Sequence, residues 1–294
     1  MMTFFFTGNI LLAQTFYIEP PNPYSKNISN EKTIDSARIR ILYAFNATDI
    51  NDYKTYDDLQ RLEIGSTLSK YYSFFVYNSD SLCTDYENKK PRRPNEGARP
   101  EQMGEHGKKK RRWLEYLYSE IFKDFSTDLQ TQYIQMPLML QSENCYYSEN
   151  ISLQEWEIHE DTMMVCSYLC QKATCTFRGR NYVAWFTMDI PVSNGPWKFG
   201  GLPGLILKIY DTELLFVFEC IGVEIHNEKY PIRKLDYSRY NKIKRENALR
   251  LIKKIHENWG EAAGMVITEF FPPAGKSLSE DVFKKKEHKP LELE

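Results

Sequence analysis

The sequence predicts a mainly β (α+β) fold: an antiparallel curved sheet with one amphipathic helix near the C-terminus. Aromatic residues, which favour strands, are abundant, with 20 Tyr and 17 Phe among 294 residues. Apolar segments follow one another with only turn residues between them, whereas a parallel sheet would need a helix between its strands. A curved sheet with an apolar inner face can form an open half-barrel, and this shape is part of the prediction.

Strands are predicted where apolar residues alternate with polar ones or where aromatic residues cluster between turns. The clearest alternation covers residues 37–45, where Ile41, Tyr43 and Phe45 share one face. The predicted hairpins pair 62–64 with 68–77, and 170–177 with 182–188. Further strands are predicted at 134–140, 156–159, 205–210 and 215–225, while periodicity leaves 113–125 undecided between helix and strand.

A helix is predicted where the apolar spacing changes to three and four residues. Gly260 follows this run and predicts its end. The apolar positions are Tyr240, Ile243, Ala248, Leu251, Ile252, Ile255 and Trp259. Lys and Arg fill the other face, which is also typical of membrane-surface helices. The commoner use, covering the apolar face of a sheet, is the one we predict.

The N-terminal residues resemble a secretory signal peptide, because an apolar run ends at Ala13 before the chain turns polar. No Lys or Arg precedes Lys26, so we predict that the basic start of the signal is missing. The alternative is a buried strand at residues 4–6. The predicted organisation is a signal peptide at 1–13, an irregular lead-in at 14–33, one β-rich domain at 34–262 with an insertion at 85–112, and a charged tail at 263–294.

The insertion at 85–112 carries ten basic and five acidic residues, with Pro and Gly throughout. A polyanion-binding patch is one interpretation of the basic run at 108–112. No aromatic residue interleaves this run to stack on bases, so a solvated loop is the prediction and no nucleic-acid partner is expected. Beyond the N-terminus, no apolar stretch is long enough to span a membrane.

The six cysteines allow many pairings in an oxidising compartment. Cys166 and Cys170 on one continuous strand would lie about 13 Å apart, so they can pair only if residues 167–168 turn. The spacing of Cys166, Cys170 and Cys175 after His159 is not that of a zinc knuckle or ribbon, so no metal ligand is predicted.

No phosphate-binding loop, nucleophile elbow or zinc-protease motif is present, so we predict no catalytic residues, no cofactor and no enzyme activity. The alternative is a hydrolase or metal-dependent enzyme whose site is assembled from distant residues. Its first candidates are His159, His226, Asp189 and Glu219. Their convergence in one pocket would be the test.

The most distinctive segment runs from residue 194 to 206, where four glycines and two prolines specify a shaped loop before a strand. Trp197 and Phe199 either fill the core or offer a binding platform. A corner formed by Gly201, Pro203 and Gly204 is expected, and if Gly204 has positive φ, Gly204→Ala should be destabilising. The candidate structural or partner loop comprises Trp197, Phe199, Gly201, Leu202, Pro203, Gly204, Leu205 and Ile206.

Residues 201–206 spell Gly-Leu-Pro-Gly-Leu-Ile, and other segments occur with this motif in order. They are Cys170-Gln171-Lys172-Ala173, the run from Phe177-Arg178-Gly179-Arg180 to Ala184-Trp185-Phe186-Thr187, Ile190-Pro191, Gly195-Pro196 and Lys198-Phe199. Together they resemble the GLPGLI family of exported Bacteroidetes proteins over residues 35–225. Ser167 departs from the glycine expected there, which weakens a turn, and the insertion at 85–112 is a second departure.

The resemblance implies an exported, periplasmic protein of the cell envelope with uncharacterised activity and no known catalytic residues. Genes of this family tend to lie near those for TonB-dependent outer-membrane receptors. We therefore expect a non-enzymatic binding or accessory protein whose partner is an outer-membrane receptor or another envelope protein. A small hydrophobic ligand is expected if the sheet encloses an empty cavity, and a protein partner if the core is filled.

Overall fold

A computed structural model describes residues 19–89, 102–108, 112–264 and 287–293, with the backbone alone at 227–229. The predicted signal peptide lies outside these residues. So do positions 90–101 and 109–111 of the predicted insertion, and 265–286 and 294 of the predicted tail.

Twelve strands of the described residues form one sheet, so the predicted mainly β class is confirmed. The strands are β1 (Lys32–Phe45), β2 (Asp58–Ile64), β3 (Leu68–Ser73), β4 (Ser119–Asp124), β5 (Leu129–Ile134), β6 (Cys145–Asn150), β7 (Glu157–Val165), β8 (Tyr168–Phe177), β9 (Arg180–Thr187), β10 (Leu205–Asp211), β11 (Val217–Lys234) and β12 (Asn241–Lys242).

The sheet consists of two antiparallel meanders, β1 to β6 and β7 to β11, in which neighbours in sequence pair with each other. The long strands β1 and β11 pair antiparallel and join the two meanders. The short strand β12 adds to β6 in parallel. Strands β7 and β12 form the two edges, so the sheet is not closed.

The core follows from the alternation in the central strands. Ile41, Tyr43 and Phe45 of β1 are fully buried, as the sequence pattern predicts, and pack with residues of β8, β9 and β10. Both predicted hairpins are present, with β2 paired to β3 and β8 paired to β9. Residues 113–118 form turns before β4, and β5 ends at Ile134, so only the start of the predicted strand at 134–140 lies in the sheet.

The predicted strand at 68–77 is wrong in its second half, because β3 ends at Ser73 and helix α1 (Phe74–Lys89) follows. The Ser73 hydroxyl accepts a hydrogen bond from the amide of Val76, as a helix N-cap does. The inward face of α1 is largely polar, and Asp80 and Thr84 bind the backbone amides of Lys26 and Ile28. This face carries no apolar periodicity, which is why the sequence pattern does not predict the helix.

Near the C-terminus, helix α2 (Arg245–Glu257) is shorter than the predicted run, and Gly260 does not end it. Asn258 departs from helical geometry after α2, with φ at −151° and ψ at 84°, and its side chain caps the short helix α3 (Trp259–Ala262). Before α2, Tyr240 lies in a turn that leads into β12. None of the helices described is both long and apolar enough to cross a membrane.

The turn between β7 and β8 is tight, although Ser167 replaces the expected glycine. Cys166 and Ser167 both have positive φ, at 49° and 68°, and Val165 pairs directly with Tyr168. All six cysteines lie among the described residues, and no disulfide joins any of them. Within the predicted charged tail, Leu291 and Glu292 are buried against the sheet.

Candidate functional site

A cavity of about 370 Å³ lies between one face of the sheet, helix α2 and the segment 287–293. Strands β2 to β6 and β11 each contribute at least one side chain to it, as does the loop before β10. A volume above about 300 Å³ suits a small molecule. This cavity is the candidate functional site.

Apolar side chains form the walls of the cavity: Trp197, Phe218, Ile121, Ile252 and Leu291. Trp197 is 5% exposed, has a positive φ of 51°, and packs edge-on against Phe177 and Phe199. The Trp197 and Phe199 rings therefore lie in the core, while one side of the Trp197 indole faces the cavity. The two interpretations of Trp197 are thus not exclusive, since a core residue can also line a binding site.

A hydrogen-bonded floor of polar side chains lies opposite helix α2. The Tyr147 hydroxyl donates to Gln132 Oε1 over 2.7 Å, and Gln132 Nε2 donates to Ser119 Oγ over 3.0 Å. On the neighbouring strands, the Tyr71 hydroxyl donates to Gln60 Oε1. These groups satisfy one another in the empty cavity and remain able to bind a polar ligand atom.

A buried charge network closes the cavity beside Trp197. Lys198 is 1% exposed, and its ammonium binds the Tyr147 hydroxyl, Glu149 Oε1 and Glu292 Oε1. Burial opposes its charge, but the Tyr147 hydroxyl and the carboxylates of Glu292 and Glu149 outweigh burial and raise the pKa of Lys198. We call Lys198, Glu149 and Glu292 the lysine clamp, because they tie the loop before β10 to strand β6 and the segment 287–293.

Two arginines extend the lysine clamp to other elements. Arg178, in the turn between β8 and β9, donates to Glu149 over 2.7 Å. Arg245, at the start of α2, binds Glu292. Burial opposes ionisation of Glu149, yet Lys198 and Arg178 hold the pKa of that carboxyl below its ordinary value. The network therefore fixes helix α2 and the C-terminal segment over the cavity.

The predicted candidate loop forms a rigid corner around these groups. Phe199, Leu202, Leu205 and Ile206 are buried, while Gly201 and Pro203 are exposed. Positive φ occurs at Gly201, at +83°, and not at Gly204. Gly204 is required for another reason: a Cβ atom there would lie 2.0 Å from the carbonyl oxygen of Thr187. The corner depends on close backbone approach at this position.

A carboxylate and two imidazoles meet at the α2 side of the cavity: Glu115, His256 and His288. His256 Nε2 lies 2.7 Å from Glu115 Oε2, and the His256 and His288 rings stack with centroids 4.2 Å apart. Burial opposes the charge of Glu115, but His256 and His288 lower its pKa to about 2. Burial also lowers the pKa of His288 to about 4, against the opposing effect of Glu115. No local motif marks these residues, which lie far apart in sequence.

The four residues considered for a distant-residue enzyme site do not converge. His159 contacts the Thr174 hydroxyl, His226 lies 3.5 Å from Glu224, and Glu219 pairs with Lys208. Neither these three residues nor Asp189 lines the cavity. Within the described ranges, the one group of three potential metal ligands is Glu115, His256 and His288.

Comparison with known proteins gives a family match and a distant structural match. Residues 177–208, which include the lysine of the clamp and the glycine corner, match a family described as "Protein of unknown function (Porph_ging)". Membership of the GLPGLI family itself stays a prediction. No curated protein matches the chain.

Two solved structures of PNGF-II, in space groups C2 and P21, are each 16% identical to this chain with a TM-score of 0.44. Each match covers 76% of this chain and 34% of the PNGF-II chain. The chain therefore spans about a third of the length of PNGF-II. A similarity at this level carries no argument about function.

Proposed function

We propose that this chain is an exported, non-enzymatic binding protein of the cell envelope that holds a small amphipathic ligand in the cavity under helix α2. The observation that supports this proposal is the cavity itself, which has a volume of about 370 Å³, aromatic and aliphatic walls and a polar floor. Binding sites for small molecules combine these features: an apolar lining and a few fixed polar groups that orient the ligand.

The lining indicates the shape of the ligand. An apolar part would pack on Trp197, Phe218 and Ile252, where removal of apolar surface from water provides the driving force. A polar end would bind the amide groups of Gln60 and Gln132, which accept and donate hydrogen bonds. Because six strands contribute side chains to one cavity, we further propose that the sheet curves around the ligand as an open half-barrel.

The envelope location rests on the apolar N-terminal run and on the resemblance of the motif segments to exported proteins. We propose that the chain serves TonB-dependent outer-membrane transport by presenting its ligand to a receptor. Fractionation of native cells tests the location, because a chain retained with cytoplasmic markers would contradict export.

Two tryptophan substitutions on helix α2 test the cavity. Ile252→Trp would place an indole in the cavity, whereas Leu251→Trp places the same group on the same helix at a position that does not line it. The probe is 8-anilinonaphthalene-1-sulfonate, whose fluorescence rises in an apolar site. We expect Ile252→Trp to weaken probe binding at least tenfold and Leu251→Trp to leave it unchanged, with melting temperatures compared for both.

Equal probe affinity in the wild type and a folded Ile252→Trp variant would show that the cavity is not the binding site.

A metal-dependent enzyme is the second candidate function. The observation that favours it is the cluster of Glu115, His256 and His288 beside the cavity, and not the four residues first considered. Turnover of a substrate that depends on added metal would support it.

A further inference from the structure

Glu115, His256 and His288 come together from three distant parts of the chain. Glu115 precedes β4, His256 lies in the last turn of α2, and His288 belongs to the segment 287–293. One potential ligand atom from each residue lies within 4.8 Å of the other two. Three donors around a metal at about 2.0–2.2 Å stand roughly 3 Å apart, so the three side chains must draw closer together to complete a site.

Protein contacts account for only part of this cluster. Glu115 and His256 bind each other at 2.7 Å. Among the described residues, the His288 imidazole stacks on His256 and makes no hydrogen bond. His288 is half-buried and lines the cavity, so its ring nitrogens are available to a ligand there.

We propose that Glu115, His256 and His288 form a binding site for a divalent transition-metal ion, with Zn²⁺ as the preferred occupant. Two imidazoles and one carboxylate are a donor set typical of zinc sites that keep a fourth position open. Glu115 and His288 also line the cavity, so that open position faces it. This site does not depend on the ligand proposed above, and it departs from the expectation of no metal.

Metal binding requires a defined rearrangement. The His256 and His288 rings are nearly parallel, at 8°, so their in-plane lone pairs do not point to a common centre. The His288 ring must turn out of the stack, and the contact between His256 and Glu115 must be replaced by bonds to the metal. Binding should therefore fix the segment 287–293 more firmly against helix α2.

Isothermal titration of the chelator-treated, reduced full chain with Zn²⁺ tests the proposal. We expect 1:1 binding that weakens at least tenfold in both His288→Ala and Glu115→Gln, while Mg²⁺ does not bind. His159→Ala is the matched control, because it removes an imidazole that lies elsewhere on β7. Zn²⁺ should raise the melting temperature of the wild type and of His159→Ala, and not that of His288→Ala.

Two results would overturn the site. One is absence of Zn²⁺ binding to the wild type. The other is equal Zn²⁺ affinity in the wild type and in both ligand variants, which would assign binding to the free thiols or to surface groups. Circular dichroism checks that His288→Ala is folded, and Glu115→Gln provides a near-isosteric second variant. Ile252→Trp should lose the fluorescent probe and keep Zn²⁺, so failure of the cavity proposal and failure of the metal site are distinguishable.

Discussion

Substitution of Gly204 by Ala should destabilise this protein more than the same change at any other glycine of the corner. The added Cβ would lie 2.0 Å from the Thr187 carbonyl oxygen and 2.7 Å from its carbon. These are backbone atoms of β9, and Thr187 pairs with Leu205 at the first position of β10. Ordinary contact requires the two strands to separate by about 1 Å or more at this point.

The expected cost combines two effects. Forcing an extra methyl into a packed site costs about 1–3 kcal/mol, and weakening a ladder hydrogen bond adds about 1 kcal/mol. A total near 3 kcal/mol corresponds to a fall in melting temperature of about 5 °C for a chain of this size. Thermal melting followed by circular dichroism measures it, and urea unfolding should show a lower midpoint with an unchanged slope.

Two other glycines, Gly200 in the same loop and Gly222 in β11, provide the controls. A Cβ at Gly200 would meet its nearest atom at 3.6 Å, which is ordinary contact, and one at Gly222 would meet nothing within 4 Å. Both Ala variants should stay within about 1 kcal/mol of the wild type. Gly201→Ala should fall between, at about 1–2 kcal/mol, because its φ of +83° strains a residue with a side chain. Two results would contradict this prediction. One is a melting temperature of Gly204→Ala equal to that of the wild type, and the other is a loss of stability in Gly200→Ala as large as in Gly204→Ala.

Three further predictions concern the side chains around the corner. Trp197→Ala should cost about 3–5 kcal/mol of stability, since the indole is buried, and should also weaken binding of the fluorescent probe. Lys198→Met should cost about 3–5 kcal/mol by leaving Glu149 and Glu292 without their shared cation, and adding Glu292→Gln should restore part of it. Burial lowers the pKa of Lys123 from 10.5 to about 7, so the unfolded chain binds its proton more tightly and stability rises with pH. From about pH 7 to 9, the wild type should gain up to about 2.7 kcal/mol relative to Lys123→Met.

Each of these has an outcome that contradicts it. An unchanged melting temperature in Trp197→Ala would show that the indole does not stabilise the core. A Lys198→Met variant as stable as the wild type would mean that the arginines alone neutralise the carboxylates. For Lys123, denaturant unfolding at several pH values is decisive, because a difference between the wild type and Lys123→Met that stays constant from about pH 7 to 9 contradicts the prediction.

The strands could be predicted because their inward-facing residues are apolar and alternate with other residues within one short segment of the chain. In β1, Ile41, Tyr43 and Phe45 face the core at every second position. Helix α1 was not predicted because several of its buried positions are polar. Ser79 accepts a hydrogen bond from the Met103 amide, and Asp80 and Thr84 bind the lead-in segment. Hydrophobic periodicity does not predict a helix whose buried face is largely polar.

The candidate site was predictable only in part. The distinctive glycine and proline content pointed to the loop that carries Trp197, and that loop does line the cavity. The polar floor was hidden, because Gln60 and Gln132 look like ordinary outward-facing strand residues. The cluster of Glu115, His256 and His288 has no sequence signal, since only the packing of α2 and of the segment 287–293 brings the three residues together.

The pairing of β1 with β11 has a consequence for the order in which the protein folds. Every other antiparallel pair joins strands that follow each other in sequence, so each meander can form from local hairpins as it leaves the ribosome. Strand β1, however, finds its second partner only after some 170 further residues, and until then one of its edges stays unpaired. Such an edge is a template for aggregation. We therefore expect that a chaperone which shields this edge matters most for the nascent chain. A chain cut between β6 and β7 should yield two fragments that reassemble along the β1–β11 and β6–β12 pairs, with the lysine clamp joining them.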